Sequence, residues 1–244
     1  MAARQEIRLE LLGVFRLRYA QTAVVLRPSS RRLIALLAVT GTQARLDAAA
    51  RLWPDLLQAR AASNLRTAAW RIRQDACGLL VSEGDVLRLE ELSCDLTEVR
   101  DWARRTVAGE QLSHLPEHAA AELLPRWSDE WLIEPREELR LLQLHALEAL
   151  AQRLLMAGRL AEACTHALTA VMMDPLRESA TRLLIEIHLR EGNTLDAVRR
   201  FHRFEELLDQ ELDVAPSPAI TSLVAPLITS KRAAGVDPRR LRRT

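Results

Sequence analysis

The sequence predicts a mostly α-helical chain with a small antiparallel β part: a helical region flanked by strands, then an all-helical region. Three observations carry this. The first 26 residues alternate apolar and charged side chains with the two-residue period of strands. Residues 59–76 gather their small apolar side chains on one helical stripe, with arginines on the rest of the surface. Residues 155–163 and 189–197 repeat one pattern 34 positions apart, the period of stacked helix pairs.

Taken in order, Ile7, Leu9 and Leu11 face one way with Arg8 and Glu10 opposed. After Gly13, Phe15, Leu17 and Tyr19 alternate with Arg16 and Arg18, and Val24–Leu26 follows a polar turn at Gln21-Thr22. This predicts a small antiparallel sheet. Pro28-Ser29-Ser30 opens a helix in the manner of an N-cap, Leu33, Leu36 and Leu37 give its buried stripe, and Gly41 ends it. Asp47 is expected to cap a shorter helix carrying Ala50 and Leu52, closed by Pro54 after Trp53. A longer basic helix starts five residues on, and the three together form a helix-turn-helix. Past Gly78, Leu80-Val81 and Val86–Leu89 flank Ser-Glu-Gly-Asp and predict a hairpin turning at Gly84, placed as a wing. Asp95 begins another helix, with Val99, Trp102 and Ala103 apolar.

Residues 108–135 are mixed, hold Pro116, Pro125 and Pro135, and form the expected boundary region. From Glu137 the pattern is helical. Leu155-x-x-Gly158-x-x-x-Glu162-Ala163 returns as Leu189-x-x-Gly192-x-x-x-Asp196-Ala197, with glycine for the tight reversal and alanine at the helix crossing. Such tetratricopeptide-like pairs stack into concave surfaces that hold peptides or proteins. The expected division is 1–105, 106–230, and a basic tail 231–244.

The basic helix carries the chemistry. At about 100° per residue, Leu65, Ala68, Ala69 and Ile72 form one narrow stripe. Arg60, Ser63, Thr67, Trp70, Arg71 and Gln74 fall opposite, Arg66 and Arg73 line a flank, and no acid intervenes before Asp75. A small-residue stripe lets a helix sit close on its core while its far face offers donors and acceptors, as a helix in the major groove requires. A solvated basic face on an ordinary helix has the same pattern.

Charge distribution separates the two. The formal net charge of +1 hides 17 arginines against 12 acids in residues 1–105, 11 against 20 in 106–230, and six basic residues against one acid in the tail. Arg27–Arg73 holds nine arginines against Asp47 and Asp55. A basic segment joined to an acidic one suggests an anion-binding module beside a protein-binding one. Lys231 is the only lysine, and genomic base composition accounts for the arginine excess as such; only position is informative. Cys77, Cys94 and Cys164 have neither metal-like spacing nor an even number. With no signal-like N-terminus and no apolar run near about 18 residues, a reduced cytoplasmic protein without membrane contact is expected. His114-Leu115-Pro116-Glu117-His118 spells the inverted zinc-protease pattern, but Pro116 opposes the regular helix that chemistry needs. No metal, no cofactor and no enzyme are therefore expected.

Several segments together resemble one family. They are Arg31-Arg32-Leu33 through Leu36-Leu37-Ala38, Leu46-Asp47 through Trp53-Pro54-Asp55, and Ala62-Ser63-Asn64-Leu65-Arg66 through Trp70-Arg71-Ile72-Arg73. To these add Arg126-Trp127-Ser128-Asp129-Glu130-Trp131, Leu144–Leu150, Asp174–Glu178 and Glu211–Pro218. From about residue 6 to 228 the chain resembles the SARP family of bacterial transcriptional activators (Streptomyces antibiotic regulatory proteins), including its bacterial transcriptional activation domain. The resemblance implies an OmpR/PhoB-type winged helix followed by a tetratricopeptide-like domain, in the family's short form, with no ATPase loop and no receiver domain. It implies binding to direct repeats in double-stranded promoter DNA, as a homodimer, and recruitment of RNA polymerase to biosynthetic operons. Ser29-Ser30 stands where many members are more basic, and the wing carries acids at its tip and lacks the family's Gly-Tyr.

On that reading Ser63, Asn64, Thr67, Arg71 and Gln74 are expected to touch bases, and Arg31, Arg32, Arg60, Arg66 and Arg73 to hold phosphates. Trp70 has two roles open, on sugar or a thymine methyl, or covering the wing, with packing expected. Leu56 and Leu57, apolar in the loop before the basic helix, either touch polymerase or tuck into the core. The tail either adds non-specific DNA affinity or is a solubilising end. A protein-interaction scaffold working through its helical repeats, with only non-specific DNA binding, is the rival reading.

Overall fold

In the computed structural model, residues 7–20, 22–110 and 115–233 are described. The tail beyond residue 233 and His114 of the zinc-like pattern lie outside them. β1 (Ile7–Glu10), β2 (Arg16–Tyr19) and β3 (Thr22–Ala23) pair antiparallel in order, with Leu9 facing Leu17 in register and both buried. A short strand from later in the chain, Ser93–Cys94, joins the other side of β1 in parallel, a pairing that local alternation does not announce.

Three helices follow the first hairpin. α1 (Pro28–Thr40) has proline at its start, where the missing N–H costs nothing. Its N-cap residue is Arg27, which makes no side-chain cap bond, so Ser29 and Ser30 belong to the first turn instead of capping it. β4 (Gln43–Ala44) leads into α2 (Arg45–Leu52), which begins earlier than the sequence suggests. Asp47 lies inside its first turn, where its charge still complements the helix dipole. α3 spans Gln58–Asp75. β5 (Leu80–Glu83) and β6 (Val86–Leu89) form the hairpin, and β4 pairs with β6, making the wing three-stranded. β7 (Ser93–Cys94) then returns the chain to β1 before α4 (Asp95–Val107).

Asp95 explains that return. It is 2% exposed, and its carboxylate accepts N–H bonds from Leu11 at 2.8 Å, Leu12 at 2.9 Å and Leu96 at 2.7 Å. One side chain thus tethers the first residue after Asp95 in α4 and the chain leaving β1, and charge-assisted bonds of this kind offset its burial.

The chain divides into two compact units, residues 1–105 with 112–143, and 106–111 with 144–244. The first therefore continues past residue 105, the boundary expected from composition. Leu123 forms a β-bridge with Leu12, the Gly13 N–H donates to the Glu122 carbonyl at 2.7 Å, and the Leu124 N–H donates to Leu11 at 2.9 Å. Phe15 and Trp127 stack with ring centroids 5.9 Å apart. Leu123, Leu124, Leu132 and Leu139 enter the same core as Leu9, Leu33 and Leu65. Composition could not reveal this, because the apolar residues of the segment are spaced for a loop that lies on an existing surface.

The second unit is helical. α5 (Ile133–Met156) ends in it, followed by α6 (Leu160–Met173), α7 (Glu178–Arg190), α8 (Thr194–Leu212) and α9 (Pro218–Ala233). Gly158 and Gly192, the repeat glycines, take φ of 74° and 77° at the two helix reversals, a conformation that favours residues without Cβ. Ala163 and Ala197, also from the repeat, are fully buried. Arg177 donates to both Glu148 oxygens at 2.8 and 2.9 Å, joining the start of α7 to α5. Phe201, Phe204 and Leu208 of α8 form a core with Ile185, Ile220 and Val224.

Candidate nucleic-acid interface

α3 is held by one face. Leu65, Ala68, Ala69 and Ile72, the stripe expected from the sequence, are buried together with Ala61, and the helix packs on α1 and α2. Alanines at three of these positions permit a close approach, so α3 is fixed while its far side stays free. That far side exposes Ser63, Thr67 and Gln74, with Asn64 and Arg71 half-buried. Arg60, Arg66 and Arg73 are exposed and Arg31, on α1, is half-buried.

These arginines differ from several others in the chain. The side chains of Arg31, Arg60, Arg66, Arg71 and Arg73 have no hydrogen bond or ion pair among the described residues. Arg88, Arg136, Arg140, Arg159, Arg177 and Arg182 each meet a carboxylate. Arg73 also stands in the last turn of α3, where positive charge suits the helix dipole. Guanidiniums without counter-ions among the described residues, beside short hydroxyl and amide side chains, can grip an anionic ligand and read polar edges.

Several sequence expectations change. Arg32, expected to hold phosphate, is engaged inside the protein: its Nε and Nη2 lie 2.7 and 2.5 Å from Asp129 Oδ1, and Nη2 also donates to the Leu52 carbonyl at 2.6 Å. Its guanidinium is consumed in holding the unit together. Trp70, expected to pack, is 60% exposed. It sits outside the buried stripe and belongs to the free face. Thr67 donates its hydroxyl to the Ser63 carbonyl one turn back at 3.0 Å, which leaves it an acceptor and a methyl to offer. The two loop leucines part company: Leu56 packs against the core, while Leu57, the N-cap residue of α3, is 84% exposed.

Arg45 was not singled out in the sequence. Its side chain bonds to Ser82 Oγ and its backbone N–H donates to the Asp85 carbonyl at 2.8 Å, fixing the start of α2 to the wing turn. No local pattern marks it, because the strand it follows is only two residues long. The wing's own arginine, Arg88, faces Glu83 at 3.1 Å and Glu90 at 3.7 Å, so its charge is offset within the hairpin.

No group of three or more metal-ligating side chains occurs among the described residues. None of their helices is long and apolar enough to cross a membrane.

The profile of the bacterial transcriptional activator domain matches residues 101–227. Mycobacterium tuberculosis EmbR, solved in complex with a low-affinity phosphopeptide, is similar in fold, with a TM-score of 0.69 and 20% identity. The match covers 93% of this chain and 66% of EmbR, so the chain spans just under two thirds of that protein's length. No curated protein matches the sequence.

Proposed function

The chain belongs to the bacterial transcriptional activator domain family, a family of transcriptional activators and not of enzymes; from that premise we propose that it is a sequence-specific DNA-binding activator. α3 enters the major groove, with Ser63, Asn64, Thr67, Arg71 and Gln74 toward bases and Arg31, Arg60, Arg66 and Arg73 toward phosphates. The observation that carries this reading is the bare arginine set on and beside α3, its side chains unpartnered among the described residues. Elsewhere Glu137 and Glu162 balance neighbouring arginines.

The finer reading follows the family resemblance. A homodimer binds direct repeats in double-stranded promoter DNA, the acidic helical region holds partners, and RNA polymerase is recruited to a biosynthetic operon. The exposed Leu57 at the start of α3 supports a polymerase contact there. Nuclease footprinting upstream of the protein's own gene, followed by transcription in vitro, tests both halves. Two protected tracts in the same orientation are expected, and Leu57→Ala should keep the footprint while losing activation. A diffuse footprint with unchanged transcription would favour a scaffold acting through its helical repeats.

A further inference from the structure

We propose that the groove between α2, α3 and the wing turn seats the phosphate backbone of one DNA strand, and that Asp85 inside it limits the affinity. The inference rests on the DNA-binding reading above. The groove has a volume of about 570 Å³, and Arg45, Leu46, Arg66, Ala69, Arg73 and Asp85 are among the residues that line it.

Its chemistry is that of an anion site. Arg66 and Arg73 are seven residues apart on one flank of α3, about 10 Å along the axis, so they present two positive points on one line. Neither has a side-chain partner among the described residues. Arg45 stands opposite, its guanidinium donating to Ser82 Oγ and to the Gly84 carbonyl at 3.5 Å in the wing. A guanidinium has five N–H donors, so these bonds leave it others to offer. The buried apolar lining residues, Leu65 and Ala69, offer no side-chain polar group to compete for such a ligand.

Asp85 is the one acid among the lining residues, and it is exposed. It forms no ion pair among the described residues, so it does not cancel any single arginine. It instead places a negative charge where a phosphodiester would enter. Repulsion of this kind acts on every DNA sequence alike, because phosphates carry no base information. Asp85 therefore lowers total affinity while leaving the ratio between specific and random DNA intact.

The test is fluorescence anisotropy of the full chain and its Asp85→Asn variant on duplexes from the upstream region and of random sequence. Asp85→Asn should tighten binding to both by the same factor, about threefold to tenfold at low ionic strength. The gain should shrink at physiological salt, where the screening length is about 8 Å. Asp101→Asn makes the same charge change on α4, outside the groove, and should leave both affinities within about twofold. No tightening in Asp85→Asn, or equal tightening in Asp101→Asn, overturns the groove assignment while leaving the DNA-binding reading standing. Displacement of duplex by inorganic phosphate, beyond that by chloride of equal ionic strength, would make the groove a small-anion site and overturn it too. If the wild-type chain binds neither duplex, the DNA-binding reading itself falls, and this inference with it.

Discussion

Arg32 of α1 and Asp129 form an ion pair within the first compact unit, Nε to Oδ1 at 2.7 Å, and the Trp131 indole N–H donates to the same oxygen at 3.1 Å. Arg32 also bonds the last carbonyl of α2, at Leu52. One guanidinium thus joins two helices of the helix-turn-helix to a segment that lies within the family-matched residues 101–227. The β-flanked unit is built in part from that domain's own leading residues.

Arg32→Ala should accordingly behave as a stability variant. A partly buried pair with two further hydrogen bonds predicts a loss of about 1–3 kcal/mol. Urea unfolding of Arg32→Ala, Asp129→Ala and the double variant should show strong coupling between the two sites. The folded Arg32→Ala protein should bind DNA with little change in salt dependence; a drop of about one in the salt slope would restore it to the phosphate contacts.

Asp95→Ala should be more damaging. It strands the N–H groups of Leu11 and Leu12 in a buried setting and removes the bond to Leu96 at the start of α4. A loss of about 2–4 kcal/mol follows from buried donors left unsatisfied. Asp95→Asn, which keeps one acceptor oxygen, should recover part of it in the same denaturation experiment.

Glu148 gives the second unit an acid-sensitive joint. Burial is the largest influence and pushes its carboxyl upward, but the bonds from Arg177 and Ser179 outweigh it and hold the value below the ordinary 4.5. A depressed carboxylate stabilises the fold fully above its unfolded pKa, and that contribution fades as pH falls through the folded value. Thermal melts from pH 6 downward should show wild type losing stability below about pH 4.5. Glu148→Gln should start less stable and lose less over the same interval; parallel curves would remove Glu148 from this role.

Arg71→Ala and Arg60→Ala should part in their effect on DNA. Loss of a base contact costs about 1–3 kcal/mol of discrimination, so Arg71→Ala should bring specific binding toward random. Loss of a phosphate contact weakens both alike, as expected for Arg60→Ala. Identical behaviour of the two variants would dissolve the division between base-facing and phosphate-facing residues.

Much of this was legible in the sequence where periodicity is local. The stripe Leu65, Ala68, Ala69 and Ile72 and the glycine-marked reversals at 158 and 192 follow from spacing within one element. Contacts between distant segments left no such trace. The parallel pairing of Ser93–Cys94 with β1, the third strand of the wing, and the packing of Leu123 and Leu124 depend on tertiary closure. The fate of Arg32 shows the same limit at the candidate site. An arginine pair at 31 and 32 reads as uniform basic surface until a carboxylate 97 positions away claims one member.

The central claim, that α3 reads DNA sequence, is tested most directly by anisotropy of the full chain on its upstream region and on random duplex across a salt series. A clear preference for the upstream duplex that persists as salt rises is expected. Both affinities should fall with a log–log slope of about −0.9 for each phosphate held. Equal, weak and steeply salt-sensitive binding to the two duplexes would contradict it, and would leave the helical repeats as the working part of the molecule.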